Sequence, residues 1–231
     1  MEQSVLMARY DGTADWYDAY ISNEASGFSD TVGETLVGLL GEGPGRCLDV
    51  GCGTGIYIPS VQTLRWSVVG VDVSGDQLRV ARERVGDGVE LVQADGAELP
   101  FGKGAFDAAY ATLIHTDVED VAAVFREVAR VLRPGGRFIY VGTHPCFVGP
   151  FIERTNDARY VLHPGYVDAG WHSDGPGLGA GVRSRVGVRH VPLADLLTAV
   201  LDAELSLAAV KEVGDELPAL LALATTKPVP S

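Results

Sequence analysis

The stretch Cys47-Leu-Asp-Val-Gly-Cys-Gly-Thr-Gly55 decides the fold. Apolar and small residues around a single acid lead directly into glycines at 51, 53 and 55. Such a run reads as a buried strand ending in a loop whose backbone must meet a ligand. Glycine allows positive φ there and has no Cβ to hold the ligand off. Ile56-Tyr57-Ile58-Pro59 then looks like the start of a helix, whose free amides are expected to point into the same crevice. Spacing narrows the ligand. A dinucleotide fingerprint needs G-x-G-x-x-G, whereas here the loop is G-x-G-x-G, with Ile56 where the third glycine would stand. No G-x-x-x-x-G-K-[ST] occurs, which excludes a phosphate-cradling P-loop.

Outward from this loop, strands and helices alternate. Thr31 to Leu40 has Val32, Leu36, Leu39 and Leu40 at helical spacing, and Gly41-Glu-Gly-Pro-Gly45 ends it. Ser67-Val-Val-Gly-Val-Asp-Val73 is a buried parallel strand closed by an acid, and Ser74 caps a helix running to Arg82. Val89 to Ala94 is a third strand, followed by Asp95 and Gly96; Phe106 to Thr112 is a fourth. Thr116 and Glu119 form a capping box before an apolar stripe of Val121, Val124, Phe125, Val128, Val131 and Leu132. Arg133-Pro-Gly-Gly136 stops that helix, and Arg137 to Gly142 is a fifth strand. Five alternations specify a parallel sheet with helices on both faces, binding its ligand beyond the carboxyl ends of the strands. Leu193 to Leu205 reads as a helix, and Leu205 to Lys211 and Ala219 to Thr225 as strands.

The acid of the short loop and the order of these motifs resemble the class I S-adenosylmethionine-dependent methyltransferases of small-molecule type. The motif set is similar to that of the ubiquinone and menaquinone methyltransferases, and the likeness runs from Tyr10 to about Lys227. It implies an α/β fold: a Rossmann-like three-layer sandwich around a mostly parallel seven-stranded sheet with a C-terminal antiparallel hairpin. It also implies a single domain over 1–231 with S-adenosylmethionine as cofactor. Gly51, Gly53 and Gly55 would let the backbone meet the methionine moiety. Asp72 would accept both ribose hydroxyls, Asp95 and Gly96 would lie by the adenine, and Val73 would pack on the ring. Tyr17, Asp49 and Thr112 complete the expected cofactor contacts.

Residues 1–30 are expected to form a helical segment over the site. Its Tyr10-Asp-Gly-Thr-Ala-Asp-Trp-Tyr-Asp18 is similar to tyrosine-bearing segments that close over cofactor or substrate in relatives. Residues 143–190 break the alternation and read as an inserted substrate lid, with Tyr166, Trp171 and His172 as substrate contacts beside Tyr10. His115 and His144 follow the fourth and fifth strands and are the expected general bases, a base being needed only if the acceptor arrives carrying a proton. No metal-ligand pattern such as H-E-x-x-H occurs.

Methyl transfer to oxygen or nitrogen of a small apolar or aromatic metabolite, as in natural-product tailoring, is the leading expectation. A cyclase or other rearrangement enzyme that holds the cofactor without using its methyl group is the alternative. A formal charge of −13 argues against nucleic acid as the partner, since such binding rests on Lys and Arg contacts. Three cysteines without a C-x-x-C pair suit reduced thiols, and no apolar run reaches membrane-span length. A cytoplasmic monomer or homodimer acting on a small molecule is expected.

Overall fold

The computed structural model describes residues 8–157, 159–179 and 181–230. In chain order, α1 (Ala14–Ala19) runs through one π turn (Tyr20–Glu24) into α2 (Ser26–Leu40), and β1 (Gly45–Val50) follows. Then come α3 (Ile58–Thr63), β2 (Trp66–Asp72), α4 (Gly75–Val85), β3 (Glu90–Gln93), β4 (Phe106–Thr112), α5 (Val121–Val131) and β5 (Leu132–Thr143). The segment after β5 holds two small antiparallel hairpins, β6 (Ile152–Arg154) with β7 (Tyr160–Leu162), and β8 (Gly170–His172) with β9 (Val188–His190). α6 (Val182–Val186) precedes β9, and α7 (Leu193–Asp202), β10 (Ser206–Val213) and β11 (Leu220–Thr226) complete the chain.

Seven strands form one sheet in the order β10-β11-β5-β4-β1-β2-β3. β1 to β5 are parallel, whereas β11 runs antiparallel to β5 and to β10, the expected terminal hairpin. Side chains alternate across the pleat. Leu48 and Val50 face Phe125, Val128 and Leu196 from α5 and α7, while Cys47 and Tyr110 face Val32, Leu36 and Ile58 from α2 and α3. Each face therefore has its own apolar core. The strand order reverses at β1, which pairs with both β2 and β4. A crevice opens at that point because the crossovers leave in opposite directions.

Several local expectations change. α5 is capped by Asp120, whose Oδ1 accepts from Ala123 N–H at 2.9 Å, so Thr116 and Glu119 make no capping box. Thr116 belongs instead to a 3₁₀ turn (Ile114–Thr116), and its hydroxyl donates to Leu113 O. Leu132 closes the apolar stripe but begins β5, which bulges opposite β4 before resuming register at Arg137. α3 starts only at Ile58, two residues later than the sequence suggests. The irregular stretch 143–190 carries short strands of three residues each, too brief to show a period.

Candidate active site

The glycine loop is tied down by its own strand ends. Asp72 closes β2, its Oδ2 accepting from Gly53 N–H at 2.8 Å and its Oδ1 from Ser74 N–H at 2.9 Å. Gly51 and Cys52 N–H both donate to Val71 O, and Gly55 N–H donates to Cys52 O. Four loop amides are thus engaged within the protein. Gly51 and Gly53 present Cα surface to the crevice, while Ile56 and Tyr57, just before α3, line the second side of it. Gly51 shows why glycine is required: its φ is +71°, and a Cβ there would lie 2.9 Å from Ile114 Cδ1. Gly55 lines no cavity; it lets the loop pack on α4, with Ala81 Cβ 3.3 Å from where its own Cβ would be.

Two cavities meet above the sheet. The first, about 150 Å³, is lined by Tyr10, Tyr17, Gly51, Gly53, Asp72, Val73, Gln77, Asp95, Gly96, Thr112 and Val118, among others. The second, about 350 Å³, has walls of Tyr20, Ile21, Phe28, Tyr57, Thr143, Val148, Val182 and Arg183. Tyr17, Gly51, Gly53, Thr112 and Leu113 line both. Leu113 stands at this junction with φ +58°, a left-handed conformation that non-glycine residues adopt at a cost of roughly 1–3 kcal/mol. Val73 is 37% exposed at the end of β2, an apolar surface open to the first cavity. Asp95 uses Oδ1 to accept from Ala97 N–H at 2.8 Å.

Gln77 lies three residues beyond the Ser74 cap, on the first turn of α4, and also lines the first cavity. Its amide oxygen and nitrogen are both buried and make no hydrogen bond. Buried polar atoms are almost always satisfied, so this pair points to a polar ligand. A ribose-bearing cofactor fits: hydroxyls for Asp72 and Gln77, and a flat apolar ring for Val73 and Val118. The sequence reading missed Gln77, although its position relative to the cap could have revealed it.

Asp49 does not line the crevice. It lies beneath the loop, 1% exposed, with Tyr110 O–H donating to Oδ2 at 2.9 Å and Oδ1 unpartnered. Burial pushes its carboxyl up from 3.8 to about 8, with the Tyr110 hydrogen bond opposing and the Asp72 charge adding. Burial also raises the half-buried Asp72, against the two backbone hydrogen bonds it accepts.

Neither expected base faces a cavity. His115 is turned into the core, with Nδ1 2.6 Å from Tyr140 O–H, and burial followed by the Arg183 charge lowers it to about 3. His144 is also buried. Its Nδ1 accepts from Cys146 N–H at 3.2 Å, which leaves the Nε2 proton to donate to Glu212 on β10 at 2.8 Å. Both nitrogens are occupied, Nδ1 in the turn after β5 and Nε2 in tying that turn to the terminal hairpin. His144→Ala is expected to leave cofactor affinity unchanged while lowering stability by about 1–3 kcal/mol, read by calorimetric titration and thermal melting.

The N-terminal segment crosses the first cavity as a strap. Asp11 accepts from Ser74 Oγ, Gly12 N–H donates to Asp76, Arg79 pairs with Asp15 and Arg84 with Asp18. Tyr10 and Tyr17 pack edge to face beneath it. Burial raises both phenols, Tyr17 to about 12, with the Asp117 charge adding. Tyr10 therefore lies on the first cavity rather than in the second. The insertion clamps the strap from above: Arg9 stacks on Trp171 and Arg185 on Trp16.

Tyr166 and His172 line neither cavity. They form the insertion's own small core with Phe151 and His190, and Tyr166 O–H accepts from Leu193 N–H. Trp171 also lines neither cavity and stacks instead on Arg9 of the strap. Sequence reasoning missed Arg183, which bonds Asp117 Oδ1 and Thr116 Oγ1, each at 2.7 Å. Among the described residues no group of three or more His, Cys, Asp and Glu could hold a metal, and no helix is long and apolar enough to cross a membrane.

Comparison with known proteins gives this geometry its class. A methyltransferase-domain family matches residues 48–140, the segment from β1 to β5 that builds the crevice. An O-methyltransferase of Aspergillus nomiae is 36% identical over 155 residues, covering 57% of this chain and 67% of its own length. The chain belongs to the S-adenosylmethionine-dependent methyltransferase family. Over the first curated relatives it matches, it spans from 30% to 67% of their length.

Solved structures share the fold. An S-adenosylmethionine-dependent methyltransferase from Mesorhizobium loti superposes with a TM-score of 0.68 at 24% identity, over 94% of this chain and 99% of that one. The [4+2]-cyclase SpnF superposes with a TM-score of 0.63 at 20% identity, over 87% of this chain and 82% of that one.

Proposed function

We propose that the chain moves a methyl group from S-adenosylmethionine to oxygen or nitrogen of a small apolar or aromatic metabolite. The observation that carries this reading is the meeting of two unlike cavities at Gly51, Gly53, Thr112 and Leu113. The first offers a carboxylate, an unpartnered amide and an exposed valine to a nucleoside. The second has the volume of a small-molecule pocket, ~300–1,000 Å³, and mostly apolar walls.

Bound there, the cofactor supplies a methyl group on positively charged sulfur, an electrophile that needs no further activation. The protein's part is alignment and exclusion of water. Asp72 would accept ribose hydroxyls with lone pairs left after Gly53 and Ser74, and Gln77 would offer both a donor and an acceptor. Asp95 keeps Oδ2 for the exocyclic amine of adenine, with Val73 and Val118 on the ring. The tyrosine strap closes the first cavity, and residues 143–190 act as the lid of the second through Val148, Gly177, Val182 and Arg183.

The test is product stoichiometry with a panel of phenols, amines and alcohols. One S-adenosylhomocysteine per methylated product is expected. Conversion of a substrate without S-adenosylhomocysteine would instead make the protein a cofactor-shaped cyclase or rearrangement enzyme.

A further inference from the structure

We propose that the second cavity takes its acceptor as an anion, an ionised phenol or enol held against Arg183. This rests on the methyl-transfer reading and names the acceptor class. Among the described residues lining that cavity, Arg183 is the only charged side chain. Burial is the largest influence and works against its charge. The Asp117 charge and hydrogen bond, together with Tyr10 and Tyr17, outweigh it, and a guanidinium stays protonated at neutral pH even without them. Its two terminal nitrogens bond Asp117 and Thr116, while Nε has no partner among the described residues. A guanidinium walling an otherwise apolar cavity is costly to desolvate, and an anionic ligand offsets that cost with a charge-assisted hydrogen bond.

The other polar walls cannot remove a proton. Tyr17, Tyr57 and Cys52 are all raised by burial and stay protonated near neutral pH. His115 and His144 are turned away into hydrogen bonds of their own. An acceptor must therefore lose its proton before it reacts, and Arg183 is placed to favour that form. In the transfer, the anionic oxygen forms the new O–C bond and the S–C electron pair stays with sulfur. The negative oxygen and positive sulfur both end neutral. No proton moves in that step.

The experiment uses the full chain saturated with S-adenosylhomocysteine and titrated with 4-nitrophenol, whose absorbance reports its own ionisation without turnover. The bound phenol is expected to ionise at least about one pH unit below the free phenol, a tenfold preference for the anion. Arg183→Met is expected to abolish that shift, and Asp117→Asn, by removing the competing carboxylate, to deepen it. An unchanged shift in Arg183→Met would leave Arg183 as a latch between lid and strap and overturn the proposal. So would absent binding of 4-nitrophenol, or equal affinity for the neutral 4-nitroanisole. Should Arg183→Met not fold, Asp117→Asn decides alone, and an undeepened shift rejects the anion. Failure of the methyl-transfer reading shows separately, as substrate conversion without S-adenosylhomocysteine formation, or as absent S-adenosylhomocysteine binding in calorimetry.

Discussion

Asp72→Ala is expected to weaken S-adenosylmethionine binding on the order of a hundredfold, about 3 kcal/mol, measured by calorimetric titration. The effect has two sources. The carboxylate is the proposed acceptor for the ribose hydroxyls, and it also holds the glycine loop through Gly53 N–H. Asp72→Asn separates them, because one amide oxygen can still accept from Gly53 while the charge is lost. An intermediate loss is expected for the amide. A dissociation constant unchanged in both variants would remove Asp72 from the cofactor site.

Asp49→Asn is expected to alter how stability depends on pH. An unfolded aspartate ionises near its ordinary value, whereas burial holds Asp49 protonated in the native protein up to about 8. Between those values the native state binds a proton that the unfolded state does not, so this carboxyl makes stability fall as pH rises. The loss begins at the unfolded value and levels off above about 8. Asn has no such proton to lose. The stability of Asp49→Asn relative to the wild type should therefore rise across that window, by an amount on the order of a few kcal/mol. Parallel stability–pH curves for the two proteins would show that Asp49 does not titrate there.

What could be read in the chain depended on period and position. β1, β2 and β4 are buried on both faces, so their apolar runs announced themselves, and Gly51, Asp72, Val73 and Thr112 fell at their ends or in the next turn, with Asp95 and Gly96 just past the shorter, half-exposed β3. Side-chain direction was not legible. Thr143 lines the second cavity while His144, one residue on, points to Glu212; which neighbour faces the crevice is set by the pleat and the following turn. Asp49 shows the same effect, pointing beneath the loop it was expected to serve.

The insertion hid its contribution for another reason. Its strands have three residues each, and Arg183 reaches the cavity only because α6 packs beside Thr116 and Asp117. That is a tertiary fact with no local signature. Aromatic and histidine content drew attention to Tyr166 and His172, which serve the insertion's own packing.

The engaged amides of the glycine loop bear on the thermodynamics of binding. With Gly51, Cys52, Gly53 and Gly55 all hydrogen-bonded within the protein, the loop's conformational entropy is lost when the chain folds, not when the cofactor arrives. The proposed receptor for the methionine moiety is therefore preformed. Any ordering cost on association falls instead on the strap, which is fastened in part by exposed ion pairs such as Arg79–Asp15. On the proposed function, affinity is expected to follow the rigid half of the site, and the timing of exchange the soft half.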